Sequence, residues 1–549
     1  MYLNKTLKWD ISYADSEFPD EIKKIFFQNH VKFRKKYTDW IGLISKEFSK
    51  DIDWWASVPA SRNPYRSEIF RAICVLETIK KLKKYKLEIA TESRHLYNLI
   101  KQNFSGKNIK IFLKKNKANK KNFLKFFISI SFQTIIFLII KIFYNKKFIT
   151  HDQLILINNY PTNNLSQIER HFQFSKIFLK KNARNIFFVP TILVNKNLIK
   201  VFKTISFISK KNYYFKESIL SLKDLLFVFT YPLRIKKFKK RFKNYGKFDF
   251  SEILYSEINN FKYFEATMIG LINYKFVEKF YKKKSKIKKS VCWLENHEQK
   301  GWNYGFRKFF PSATTVGYQG FTNLPQLMNT IPTKFEEKFC VIPKKIIVSG
   351  RAYYEPRKEF YKKLQIQIGP SFIYNKVHRN FTKKNKIKYL VILTEFLHIN
   401  ITTLNWLKYA IQKNKKLLFH IKKPKILKMD FYINKLNIKD NLISCEDSLT
   451  DIFKKTRNVI ISGPTGATIE ALGYNCKLLI PVIDSYDTIY LKSMNVPKKM
   501  YQLFNDKNKF SNYLNLENQS KNNSYRLSFR KLKKHLFEEV TLTKENVFL

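Results

Sequence analysis

Short apolar runs alternate along the chain with longer stretches in which polar and apolar positions mix, and this spacing sorts the sequence into elements. EIFRAICVLETIKKLKK places Ile69, Ile73, Leu76 and Ile79 on one helical face. LEIATES then reads as a short strand feeding a helix over RHLYNLIKQNF. The runs LILIN (154–158) and IFFVPTIL (186–193) have the unbroken apolar character of strands buried on both faces. Residues 205–284 read as largely helical, and KSVCWLEN, TTVGYQGF and KKIIVSG follow as three strands. After the basic linker KVHRNFTKKNKIK come KYLVILT (388–394), KLLFHI (416–421), NLISC (441–445), NVIISG (458–463) and KLLIPV (477–482), separated by helix-length polar stretches. Such alternation predicts a parallel sheet with helices on both faces. The expected organisation is an α/β domain over 1–375, a second over 376–510, and a basic tail over 511–549 with helix near 530–539.

The most hydrophobic stretch, FLKFFISISFQTIIFLIIKIFY (123–144), lies between KKNKANKKN and NKK. Only 15 uncharged residues separate Lys125 from Lys141, and Gln133 sits midway. A bilayer crossing needs roughly 20 apolar residues, so an in-plane amphipathic helix is expected, with a buried core helix as the alternative. The first domain then reads as one α/β unit split by a membrane-facing insertion.

Composition changes the picture in one respect. The chain has 549 residues and a net charge of +62, from 104 Lys and Arg against 42 Asp and Glu, a balance suited to nucleic acid or an anionic membrane surface. Most of the excess is Lys, accompanied by abundant Ile, Asn, Phe and Tyr, the signature of an A- and T-rich genome. The lysines are spread along the whole chain without an RNA- or DNA-binding signature, so no nucleic-acid partner is expected. Five cysteines without a CxxC pair argue against a disulfide framework or a zinc site. MYLNKTLKWDISYAD lacks an apolar h-region, so a cytoplasmic location is expected, peripheral on the inner face of the membrane.

The clearest site signal is NVIISGPTGATIEALGYNCKLLIPV (458–482). A strand ends at Ser462 and Gly463, a turn through Pro464, Thr465 and Gly466 follows, and a helix begins near Thr468 with Glu470 in its first turn. Free backbone N–H groups there suit a diphosphate, and a carboxylate suits a ribose diol. An ordinary βα turn fits the same residues. His420, Lys422 and Lys423 follow a predicted strand and resemble the element with which several GT-B glycosyltransferases hold donor phosphates, a resemblance that implies this role for them, with a solvated basic loop as the alternative.

This segment resembles the nucleotide-sugar site of GT-B glycosyltransferases. WLENHEQKGWNYGFRKFFPSATTVGYQGF (293–321), IPTKFEEKFCVIPKKIIVSG and IDWWASVPASRNPYRSEIF (52–70) resemble a bacterial family of surface carbohydrate or O-antigen biosynthesis proteins. In that family the position of His297 is usually Gln. The resemblance implies two Rossmann-like domains facing a cleft. It also implies transfer of a sugar from an NDP- or CMP-linked donor to a lipid-linked or growing glycan, with no further cofactor. Sugar transfer needs a base near the acceptor, and Glu295 is the first candidate, with Glu298 and His297 after it. A structural alternative pairs Glu295 with Arg307 or Lys300. Asp53, Trp54, Trp55, Ser61, Arg62 and Asn63 are expected to form an acceptor-side loop, and Asn296, Trp302, Tyr318 and Gln319 to line the pocket. Asp51 and Asp53 spell a DxD without the preceding strand, so no metal is assigned. Two other readings are a nucleic-acid-binding protein and an inactive GT-B-like scaffold for glycan assembly.

Overall fold

A computed structural model describes residues 5–11, 19–104, 106, 108–114, 119–144, 153–162, 169–193, 197–322, 324–379, 382, 386–424, 427–463, 465–483, 489–516 and 526–549. Every strand pair in its three sheets is parallel. The first is small: β1 (Thr6–Asp10), β2 (Lys86–Thr91) and β3 (Ile109–Leu113), in that order. The second contains β4 (Leu154–Asn159), β5 (Ile186–Pro190), β6 (Ile287–Trp293), β7 (Thr314–Gln319), β8 (Lys345–Val348) and β9 (Gln365–Ile368), ordered β5-β4-β6-β7-β8-β9. The third contains β10 (Ile387–Ile392), β11 (Phe419–Lys422), β12 (Leu442–Ser444), β13 (Thr456–Ile461), β14 (Lys477–Pro481) and β15 (Tyr501–Phe504), ordered β12-β11-β10-β13-β14-β15.

The two six-stranded sheets make the chain an α/β protein of two Rossmann-like halves. Unbroken apolar runs form their centres because helices cover both faces: all six residues of β4 are buried. One expectation is corrected. The LEIATES strand does not share a sheet with 154–193 but joins β1 and β3, so the first half holds two sheets.

The 205–284 region is helical as expected, and its longest helix, Phe264–Tyr281, packs against Gln299–Phe309. A Cβ at Gly301 would run into the carbonyl oxygen of Gly270, so the two helices touch backbone to backbone. This contact sets the depth of the loop preceding Gln299.

The hydrophobic stretch forms the helix Asn119–Phe143, which among the described residues is the one helix long and apolar enough to cross a membrane. Its inner face buries Phe126, Phe132, Ile136, Phe137 and Ile140. Gln133 Nε2 donates to Glu217 Oε1 (3.1 Å), and Lys141 Nζ donates to the Ser218 carbonyl (2.8 Å). The outer face leaves Leu124, Phe127, Ile128 and Ile135 exposed.

The expected basic tail is also corrected. Helix Lys507–Leu516 packs on Leu397–Lys413 in the second half, and helix Arg526–Leu536 packs on Gly466–Gly473. The chain then returns to the first half: Glu538 N–H donates to the Ser349 carbonyl (2.8 Å), and Ser371 N–H donates to the Glu538 carbonyl (2.9 Å). Phe548 finishes in a buried cluster with Phe172, Tyr318 and Phe372.

Candidate active site

In an open parallel sheet, ligands bind beyond the carboxyl ends of the strands, where the strand order reverses. In the second sheet that point lies between β4 and β6, beyond Asn159 and Trp293. In the third it lies between β10 and β13, beyond Ile392 and Ile461. The two crevices face each other. Tyr65 stacks on Phe396 with ring centroids 5.5 Å apart, and a Cβ at Gly466 would lie 3.4 Å from the Tyr374 hydroxyl. The charge of Arg170, in the first half, reaches Glu470 in the second.

On the first half, Glu295 stands just past β6. Its carboxylate accepts from Trp293 Nε1 (2.9 Å), its N–H donates to Gln299 Oε1 (3.2 Å), and its carbonyl accepts from Asn329 Nδ2 (2.9 Å). It is open to solvent while protein crowds it on most sides, as befits a group in a cleft wall. That crowding, then the charge of Glu298, raise its pKa above the ordinary glutamate value, against opposing contributions from Trp293 and Arg66. For Glu298, burial pushes upward, but the ion pair with Arg66 Nη1 (2.8 Å) and its neighbours prevail and hold it below the ordinary value. Two neighbouring carboxylates pushed in opposite directions are a recurrent arrangement of acid–base sites.

His297 does not serve as a free base. Arg66 Nη1 donates to Nδ1 (2.9 Å), which leaves Nε2 to donate to the Ala56 carbonyl (3.2 Å). Burial lowers its pKa to about 4, so the ring is neutral and both nitrogens are committed.

Most of the expected pocket residues form the floor behind this wall. Asn296, with φ at +65°, donates to Glu336 Oε1 (3.1 Å), and Glu336 pairs with Arg62 (2.8 Å) and Lys300 (2.9 Å) in a buried charge cluster. Arg62 also donates to the carbonyls of Met328 (2.9 Å) and Ile331 (3.0 Å). Gln319 holds the carbonyls of Leu294 (3.1 Å) and Thr330 (2.8 Å), and Tyr318 that of Pro370 (2.7 Å). Trp302 lies flat against Phe276, its ring centroid 5.8 Å away, with no face left for a sugar. Asp53 pairs with Arg234 (2.7 Å) and Lys237 (3.0 Å). Trp54 donates to Ser45 Oγ (3.0 Å) and Trp55 to the Ser49 carbonyl (3.0 Å). The Ser61 hydroxyl donates to the Val58 carbonyl (2.6 Å), and Asn63 accepts from the Tyr65 N–H (3.0 Å). From that segment the residues brought to the cleft are Tyr65 and Arg66, which the sequence reading missed.

On the second half, β13 runs into Ser462, whose hydroxyl donates to the Pro481 carbonyl (2.8 Å). Gly463 has φ at +80°, and a Cβ there would press on Ile399 at 2.9 Å. Pro464 lies outside the described residues. Thr465 caps the helix Gly466–Gly473 by accepting from the Ala467 N–H (3.4 Å), and Thr468 is buried. Glu470 accepts from Thr450 Oγ1 (3.2 Å), and burial raises its pKa against the pull of Thr450, Arg170 and Lys376. At β11 the lysines expected to hold donor phosphates have partners within the protein. Lys422 donates to three carbonyls, of Cys445 (3.0 Å), Glu446 (3.0 Å) and Asp447 (2.9 Å), and Lys423 pairs with Asp430 (2.8 Å). His420 is half-buried within the strand, in register with Leu390 and Ile443. The cations whose charge reaches Glu470 are Arg170 and Lys376. Arg170 and Phe396 each follow a strand end, a signal that tells only once strand order is known.

No protein-family model matches the sequence. No curated protein matches it either. Among solved structures the chain is similar to α,α-trehalose 6-phosphate synthase from Burkholderia multivorans, at 8% identity over 72% of this chain and 97% of that one, with a TM-score of 0.42. It is similar to a variant of S. aureus TarM in complex with Fondaparinux, alpha-GlcNAc-glycerol and UDP, at 12% identity over 72% and 99%, with a TM-score of 0.39. A UDP-N-acetylglucosamine 2-epimerase is similar at 9% identity over 72% and 94%, with a TM-score of 0.40. Identities this low speak of chain path alone, and the assignment of two facing Rossmann-like halves rests on the strand orders described above.

Proposed function

We propose that the chain is a glycosyltransferase of surface polysaccharide assembly, moving a sugar from a nucleotide-activated donor to a hydroxyl of a lipid-linked or growing glycan. The observation that carries this reading is that Glu295 and Glu470 stand near the reversal points of two facing parallel sheets, one an accessible carboxylate with a raised pKa, the other in the second turn of the helix Gly466–Gly473, one turn beyond where the sequence placed it. In the proposed reaction the acceptor oxygen attacks the anomeric carbon while the bond to the donor phosphate breaks. The electron pair leaves on the phosphate and the hydroxyl proton passes to Glu295. A carboxylate whose pKa lies above the ordinary value is the stronger base for this step. The Gly466 N–H, together with Arg170 and Lys376, meets the charge that develops on the leaving phosphate.

A thermal-shift series with UDP, GDP, CDP, CMP and dTDP tests the donor site. A nucleotide at 100 times its Kd should stabilise the protein by about 2.7 kcal/mol. One nucleotide is expected to stand out; no shift with any of them would sink the reading. The surface-polysaccharide assignment is carried by the resemblance of the 52–70 and 293–321 segments, and a transfer assay with lipid-linked glycan acceptors tests it.

A further inference from the structure

We propose that the helices Asn119–Phe143, Leu198–Ser209 and Leu222–Phe229 together form one face that docks on an anionic bilayer, lying in its interface without crossing it. The face is apolar where it meets solvent. Ile135 (39% exposed), Leu138 (46%), Ile142 (68%), Ile199 (70%), Leu222 (63%) and Leu226 (59%) all point outward. Exposed aliphatic residues that gather into a patch mark an interaction site.

The first two helices are neighbours, and the third begins three residues after Lys216–Ile219, a short helix that packs on the first. Tyr144 and Phe202 place their rings 6.2 Å apart, and beneath them Ile136, Ile140, Val201 and Ile205 share one buried cluster. Lys141 hydrogen-bonds the Ser218 carbonyl, and its charge reaches Asp224 in the first turn of the third helix.

Charge selects the occupant. Between residues 119 and 248 the acids are Asp152, Glu169, Glu217 and Asp224, against 26 Lys and Arg. Both acids beside the face turn inward: Glu217 is buried and accepts from Gln133, and Asp224 is buried and accepts from the Ser221 hydroxyl (2.6 Å). Exposed Lys125, Lys200, Lys203 and Lys223 rim the apolar residues. An apolar face rimmed by lysine and free of exposed acid is complementary to acyl chains beneath anionic headgroups. Crossing the bilayer would require stripping the inner face of Asn119–Phe143, where Phe126 packs on Phe261 (4.9 Å) and Phe264 (4.6 Å) and Gln133 is hydrogen-bonded.

The test is flotation of the full-length chain with vesicles of phosphatidylglycerol and phosphatidylethanolamine, compared with phosphatidylcholine. Binding is expected to the anionic vesicles, to weaken at high salt, and to fall about tenfold with each of Ile199→Glu, Leu226→Glu and Leu138→Glu. Bound protein should be released by alkaline carbonate. Three results would each overturn the proposal: no binding to the anionic vesicles, binding unchanged by Ile199→Glu and Leu226→Glu, or resistance to carbonate. A dimer in sedimentation that these substitutions dissociate, without vesicle binding, would assign the face to a second copy instead. The inference does not depend on the reaction proposed above. The nucleotide thermal shift is read on the same variants, so failure of one leaves the other standing.

Discussion

The two crevices are built in opposite ways. Behind Glu295 the first half is pinned by side chains: Arg66 ties Glu298 to His297, Glu336 gathers Asn296, Arg62 and Lys300, and Gln319 holds two carbonyls. At the facing crevice the second half relies on the backbone, through Gly463 in a left-handed turn and Thr465 as a cap, with Glu470 as the chief polar side chain. The difference teaches a division of labour. A reacting carboxylate must be held to within fractions of an ångström, which takes a packed polar network. A phosphate needs N–H groups that any residue supplies. The first crevice should therefore be sensitive to single substitutions and the second tolerant.

Four measurements break or sharpen this contrast. The largest effect is expected from Glu336→Gln, which strands the buried charges of Lys300 and Arg62; stability should fall by about 3–5 kcal/mol in denaturant unfolding. Next is Glu295→Gln, expected to lower turnover at least about a hundredfold while melting and nucleotide binding stay unchanged. Equal loss of donor binding would place Glu295 on the donor side and dissolve the contrast.

A smaller effect comes from His297. Its native pKa of about 4 lies below the free imidazole value, so between the two the unfolded chain takes up a proton that the native protein refuses. Its contribution to stability is complete above the unfolded value and is lost as the pH falls toward 4. His297→Gln should remove roughly 3 kcal/mol of that acid sensitivity, read as a flatter dependence of unfolding free energy on pH. The smallest effect is at the second crevice: Glu470→Gln should weaken nucleotide binding about tenfold without changing turnover at saturation. A loss there as large as at Glu295 would show that both crevices depend on single side chains.

Much of the fold was legible because buried parallel strands leave unbroken apolar runs. The segments 154–158, 388–394 and 458–463 became β4, β10 and β13, each with a partner strand on both sides. β1, β9 and β15 were not read; each is short, partly exposed and at a sheet edge, where one side lacks a partner. The glycine turn before Glu470 was visible because strand, turn and helix are contiguous. The cluster from Asp53 to Asn63 was misplaced because a buried polar residue and a cleft residue have the same letters. Arg66 and Arg170 were missed because each lies inside a crossover between strands, and Phe396 because only the strand order shows that the end of β10 borders the site.

The return of the chain from 526 to 549 has a consequence in time. Phe548 and Phe537 complete packing that involves the first half, yet the ribosome makes them only after the whole third sheet. The first half therefore emerges as an unfinished body and must wait, with its apolar surface uncovered, until synthesis has passed through its neighbour. Domain-by-domain folding, the ordinary route for long chains, is closed to it, and nascent protein should depend on chaperones until the final strap arrives.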